Sequence, residues 1–225
     1  MKSKKVLIFI LTLILIISQS SFVFAKDKEK KVEAKGIVLI DPGHGGIDGG
    51  AKSSGGTIEK DINLEISKKL KESLEAENYK VYLTREDDTE LFAKKVEDLE
   101  ARCKMKKDTK CDVFISIHQN KFYKSSCYGA QVWYANNDKS SKIATLIQDS
   151  LKETINDGNK RVAKPAKNQY KILRDGYEGA CVIVECGFLS NYNEEQALKS
   201  DEHQDKIVKG ITLGVNKYFE ESSNK

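Results

Sequence analysis

Three short apolar runs constrain this chain more than anything else in it: GIVLID (36–41), DVFISIH (112–118) and ACVIVECGF (180–188). Each reads as a strand, the last as a buried one. Stretches of helical period lie between them. EKDINLEISKKLKESLEAEN (59–78) spaces Ile62, Ile66, Leu70 and Leu74 four apart, one stripe of an amphipathic helix. Leu91 to Lys107 predicts a second helix, with Val96, Leu99 and Cys103 on one side; 139–155 and 203–219 predict two more. KVYLTR (80–85), GAQVWYA (129–135) and YKIL (170–173) complete the set of expected strands. Strands alternating with helices imply a single α/β domain, here over residues 36–222, with a mostly parallel twisted sheet and helices on both faces.

In such sheets ligands gather beyond the carboxyl ends of the strands, which is where an active site is expected. Asp41 and His44 follow the first run, His118 ends the second, and Glu185 lies near the end of the third. Three separate strands thus each deliver an ionisable group to one edge of the sheet. The loop after Asp41 holds seven of the chain's fifteen glycines, so its backbone is built to stand clear of something. That something is not a nucleotide phosphate. GAKSSGGT (50–57) nearly fits a phosphate loop, but Gly56 occupies the lysine position and the stretch starts well after the strand ends.

The N-terminus carries Lys2, Lys4 and Lys5, then the apolar run Val6–Ile17, then VFA (23–25) before Lys26. This is the pattern of a secretory signal; an uncleaved membrane anchor is the other reading of the same 25 residues. Either way the N-terminal segment engages the membrane during export, and the body works outside the cytoplasmic membrane. KDKEKKVEAK (26–35) is charged and apolar-poor, a solvated linker. The formal net charge of +4 includes the three lysines of the signal, so the remainder is close to neutral and no nucleic-acid partner is indicated. Five cysteines, an odd number, leave at least one thiol unpaired within the chain; a Cys103–Cys111 bridge is one pairing open to it.

His44, Glu59 and His118 supply two imidazoles and a carboxylate, the ligand set of a catalytic zinc ion with a fourth position for water. Taken singly, His44 is a loop histidine, His118 a core histidine and Glu59 a helix-start acid favoured by the helix dipole. Together, beside a glycine-rich loop, they favour a metal. Glu185 interrupts an apolar run, where a carboxyl has a raised pKa and can shuttle a proton. Its alternative role is a buried pair with Arg85, Arg102 or Arg174.

The stretches IVLIDPGHGGIDGGA, YLTRED, VFISIHQN and VIVECGFLSN, with Glu59 opening a helix, occur in the order seen in zinc-dependent N-acetylmuramoyl-L-alanine amidases of the amidase-3 type. The resemblance spans essentially residues 36–220. GAQVWY and the lack of a helical insertion between His118 and Gly129 are most similar to the CwlD-type, germination-specific spore-cortex subgroup. The resemblance implies one Zn²⁺ ion held by His44, Glu59 and His118, with Glu185 as catalytic acid/base. The substrate it implies is the peptidoglycan glycan strand with its stem peptide, cut at the amide between N-acetylmuramic acid and L-alanine. In the spore role this precedes muramic-δ-lactam formation. Asn120 and Arg174 are candidate substrate-binding residues, and the aromatics Phe122, Tyr123, Tyr128, Trp133 and Tyr134 are candidate sugar-stacking groups. An accessory activator or localising protein is a further expectation, since no wall-binding repeat is present. The sequence departs from the family at Gln119, expected to reshape the cleft rim, and at CKMKK (103–107).

Two other readings use the same residues. A stem-peptide peptidase or carboxypeptidase would share the ligand set, although the fifteen-residue step from His44 to Glu59 differs from the adjacent HxxE of many carboxypeptidases. A non-catalytic peptidoglycan-binding module predicts loss of a ligand or of Glu185, and all four residues are present.

Overall fold

The apolar runs become the middle of a sheet. The computed structural model describes residues 33–156 and 158–223; the expected signal and most of the expected linker lie outside the described residues. Strands β1 (Ile37–Pro42), β2 (Lys80–Leu83), β3 (Val113–Asn120), β4 (Gln131–Tyr134), β5 (Lys164–Pro165) and β6 (Ala180–Phe188) pair in the order β2-β1-β3-β6-β4-β5. All neighbours are parallel except β4 and β6, which run antiparallel with Gln131 opposite Glu185. Strands β1, β3 and β6 are therefore contiguous.

Helices α1 (Glu59–Ala76), α3 (Asp138–Ile155) and α5 (Asp201–Ser223) cover one face, and α2 (Lys95–Thr109) and a 3-10 turn (Lys171–Leu173) pack against the other. Alternation along each strand sorts the two cores. Ile40, Ile115 and Val184 meet Ile62, Ile66 and Leu70 of α1, Ile143 and Ile147 of α3, and Ile207 and Ile211 of α5. Leu39, Phe114 and Ile183 face the other way, toward Ile172 and Leu173. Each such aliphatic side chain, fully buried, contributes about 1.5–3 kcal/mol. A short helix, α4 (Tyr192–Leu198), capped by Asn191 onto the backbone NH groups of Asn193 and Glu194, was not expected from periodicity.

Three sequence expectations need correction. Helix α2 packs Leu99 and Cys103, partly buried, against the second core but leaves Val96 60% exposed, and its fully buried positions are Asp98, Arg102 and Lys106. These charges are buried because each has a partner. Arg102 donates to Asp98 and Asp41 (2.6 Å each), and the wholly buried Lys106 donates to the Ile172 carbonyl (2.7 Å) and Asp175 (2.8 Å). The YKIL stretch is a 3-10 turn rather than a strand, since adjacent Ile172 and Leu173 are both buried in one core, which an extended chain cannot arrange. All five cysteines are free thiols, so the Cys103–Cys111 bridge does not form.

Candidate metal centre and its cleft

Each site residue is placed by a local constraint. His118 sits on β3 directly opposite Glu185 of β6. Past the end of β1, the Gly43 NH donates to the Ile117 carbonyl (3.0 Å), so the loop stays alongside β3 as far as His44. His44 then turns the chain with φ 63, a left-handed backbone unusual for a residue with a Cβ. Glu59 is the first residue of α1, and its NH donates to Ala51 O (2.9 Å), closing the glycine-rich loop against the helix start.

The three expected ligands converge. His44 Nε2 lies 3.4 Å and His118 Nδ1 2.9 Å from Glu59 Oε1, and the two rings meet edge to face at 4.9 Å. Their ligand atoms all lie within 4.8 Å of one another, the one such group of three His, Cys, Asp or Glu side chains among the described residues. Neighbours orient each of them. Asp48 Oδ1 is 3.0 Å from His44 Nδ1, leaving Nε2 for the centre. Glu59 Oε2 accepts from the Ala51 NH (2.7 Å), and Oε1 accepts from the Gln119 NH (3.0 Å). Burial works against charge on Glu59, but His118 and His44 outweigh it and hold the carboxyl well below its usual range. Burial likewise opposes protonation of His118, and Glu59 beside it reverses the sign and raises its pKa.

Two glycines are required by this packing. A Cβ on Gly43 would lie 2.3 Å from the His118 ring, and one on Gly50 would lie 2.5 Å from Glu59 Oε2 and 2.6 Å from the His44 ring. The space so preserved, and the pair of imidazole nitrogens facing a carboxylate, fit a tetrahedral zinc-type donor set with one position left open.

Glu185 faces the same cleft. It is buried, and its Oε2 has no hydrogen-bond partner. Burial pushes its carboxyl up to about 7, with His118 pulling the other way. The arginines that could have paired it are engaged or distant. Arg85 and Arg102 are spent on the carbonyls of the His44 loop, and Arg174 is exposed in a separate hollow with Lys167 and Glu178.

The cleft encloses about 470 Å³ and is lined beyond the ligands by Asn120, Lys121, Lys95, Gln169, Tyr170 and Lys171. Asn120 thus lies at the cleft and Arg174 does not. Of the aromatics noted in the sequence none lines it: Trp133 is half-buried 6.0 Å from Tyr170, and Phe122 and Tyr123 stack on each other at 4.3 Å on the surface. Gln119 lines the cleft, with its side chain buried and donating to Asn63 (3.1 Å). Asp48, Asn63 and Tyr170 went unnoticed in the sequence; the four-residue steps His44–Asp48 and Glu59–Asn63 were the available signal.

Comparison with known proteins agrees with this geometry. Residues 38–217 match the family described as N-acetylmuramoyl-L-alanine amidase, Amidase_3. The chain is 34% identical to the germination-specific N-acetylmuramoyl-L-alanine amidase of Bacillus subtilis, over 84% of this chain and 81% of that one. It superposes on the CwlD amidase of Clostridioides difficile, solved in complex with the GerS lipoprotein, with TM-score 0.78 and 37% identity, covering 82% of this chain and 98% of that one. A second amidase, from Clostridium difficile 630, gives TM-score 0.75 and 31% identity over 84% of this chain and 98% of the other. Together with the fold and the converging donors, these likenesses establish that the chain belongs to the Amidase_3 family and is an N-acetylmuramoyl-L-alanine amidase.

Proposed function

We propose that the chain hydrolyses the lactyl–L-alanine amide of peptidoglycan with Zn²⁺ held by His44, Glu59 and His118, and with Glu185 carrying the proton. The observation that supports this most is Glu185 itself: a buried, unpaired carboxyl set opposite His118 in the same cleft as the converging ligands. Zinc at those ligands supplies Lewis acidity, polarising the scissile carbonyl and acidifying a water molecule. Glu185 takes a proton from the attacking water as its oxygen bonds to the carbonyl carbon. The same carboxyl then returns that proton to the departing nitrogen of L-alanine. A pKa near 7 suits both directions of transfer. Asn120, at the cleft wall, is a substrate contact on this reading, and Arg174, which lines a separate hollow, is not assigned one.

The biological setting we infer is the spore cortex, supported by likeness to the germination-specific Bacillus subtilis amidase. Stripping stem peptides there precedes muramic-δ-lactam formation. Residues 1–25 direct export and 26–35 link them to the catalytic domain. Likeness to a CwlD solved with a lipoprotein supports an accessory partner. The test is to incubate residues 26–225 with zinc and purified peptidoglycan, and to identify products by mass spectrometry. Stem peptides beginning with L-alanine, with stripped glycan, are expected. Cuts inside the stem peptide would move the chain to the peptidase reading, and zinc-loaded protein that binds peptidoglycan without cleaving it would point to a missing accessory activator or a binding role.

A further inference from the structure

His44 is held in its left-handed conformation by groups that never touch its ring. Three successive carbonyls leading into and through the turn are all taken by buried side-chain donors. Pro42 O accepts from Arg85 Nε (2.9 Å) and Arg102 Nη1 (3.1 Å). Gly43 O accepts from Arg85 Nη2 (3.2 Å) and Asn63 Nδ2 (3.1 Å). His44 O accepts from Arg102 Nη2 (2.9 Å). Arg102 spans the first and last of the three. Its own position is fixed by Asp98, four residues earlier on α2, and by Asp41 at the end of β1.

A buried charge cluster of this kind is weak evidence for stability, because desolvation offsets much of its attraction. Nor is Arg102 needed to dock α2. Lys106, one turn further along, already ties that helix to Ile172 and Asp175, and none of its contacts reaches the loop. What Arg102 alone does is join the left-handed turn to both α2 and the end of β1. A non-glycine residue in that conformation costs roughly 1–2 kcal/mol, so the turn persists only where its surroundings over-determine it.

We propose that Arg102 is a positioning residue for the metal centre: by gripping Pro42 O and His44 O it fixes the turn that aims His44 Nε2 at Glu59, and so sets metal affinity. This rests on the reading that His44, Glu59 and His118 bind zinc. The planar guanidinium is required, since a lysine ammonium presents its donors from one atom and cannot reach two carbonyls and two carboxylates at once.

The test measures zinc affinity by competition with a chromogenic chelator, with thermal unfolding recorded on the same samples. Wild-type protein is measured first; failure to bind zinc there would overturn the metal reading itself, before any variant is made. Given wild-type binding, Arg102→Lys is expected to weaken zinc by on the order of 10–100-fold, the effect typical of groups that orient a metal ligand. Lys106→Met, which removes the neighbouring buried cation, is expected to lower the unfolding temperature while leaving zinc affinity within about twofold of wild type on the same ground of having no contact with the ligands. Should Arg102→Lys fail to fold, Asp98→Asn loosens the same guanidinium without removing it and should also weaken zinc. Unchanged zinc affinity in the folded Arg102 or Asp98 variant would overturn the proposal. So would a loss in Lys106→Met equal to that in Arg102→Lys, since affinity would then follow global stability.

Discussion

Oδ1 of Asp48 lies 3.0 Å from Nδ1 of His44, four residues earlier in the same loop, and Lys95 sits 3.3 Å from the other oxygen of that carboxylate. The contact selects which imidazole nitrogen faces Glu59, a second-layer role that metal-binding histidines commonly need. Asp48→Ala should therefore weaken zinc by about tenfold. Asp48→Asn, which keeps an oxygen acceptor, should weaken it less. Zinc retained after dialysis against a fixed free concentration, measured by atomic absorption, distinguishes them; equal retention in all three proteins would remove Asp48 from this role.

Gly50 has φ +68, and any Cβ there meets both Glu59 and His44. Gly50→Ala combines backbone strain of roughly 1–2 kcal/mol with that collision, and loss of both zinc and activity is expected. Gly56→Ala is the matched control: its φ is +93, but nothing lies within 4 Å of the added carbon. It carries the strain without the collision, and should keep its zinc. Circular dichroism confirms that both variants fold.

Glu185→Gln preserves shape and removes the carboxyl proposed to carry the proton. Zinc content should stay at the wild-type level while turnover falls by about 10²–10⁴-fold, the usual contribution of a positioned acid or base. Product release from peptidoglycan followed by mass spectrometry reads the rate. Substantial residual activity would assign the proton transfer to another group.

Asp41 gives the fold an acid-sensitive joint. Burial would raise its carboxyl, but Arg102, with hydrogen bonds from Ser116 and Thr84, overrides that and holds it at about 2. Since the folded value lies below the unfolded one, near 3.8, the stabilisation is complete above pH 4 and is lost as pH falls toward 2. The amount is about 2 kcal/mol. Urea midpoints for wild type and Asp41→Asn should differ most at neutral pH and converge between pH 4 and pH 2. A difference that stays constant across that window would mean Asp41 does not titrate as its surroundings require.

What the sequence made legible follows from periodicity and strand ends. Burial on both faces turned the three apolar runs into readable strands, and their carboxyl ends led to His44, His118 and Glu185, which the structure brings to one cleft with Glu59. On helix α2 the pattern found Leu99 and Cys103 but not the fully buried charged stripe beside them, because a hydrophobic pattern cannot report residues whose burial depends on partners elsewhere in the chain. Arg174 had no signal in the sequence beyond its charge. The 3-10 turn before it leads it to a hollow apart from the cleft. Tyr170 enters the cleft through the same turn, with no local signal in its neighbours.

The pairing of His118 with Glu185 across β3 and β6 acts as a ruler. Adjacent strands are held about 4.8 Å apart by their backbone ladder, so the gap between these two side chains is a unit of length common to every sheet. Loops around the cleft can lengthen, shorten or exchange residues while that unit stays the same. Slipping β3 by one residue would instead point His118 to the α1 face and bring Gln119 into its place. Residues in the cleft walls can therefore change while the spacing of His118 and Glu185 is kept by backbone hydrogen bonds that carry no side-chain information.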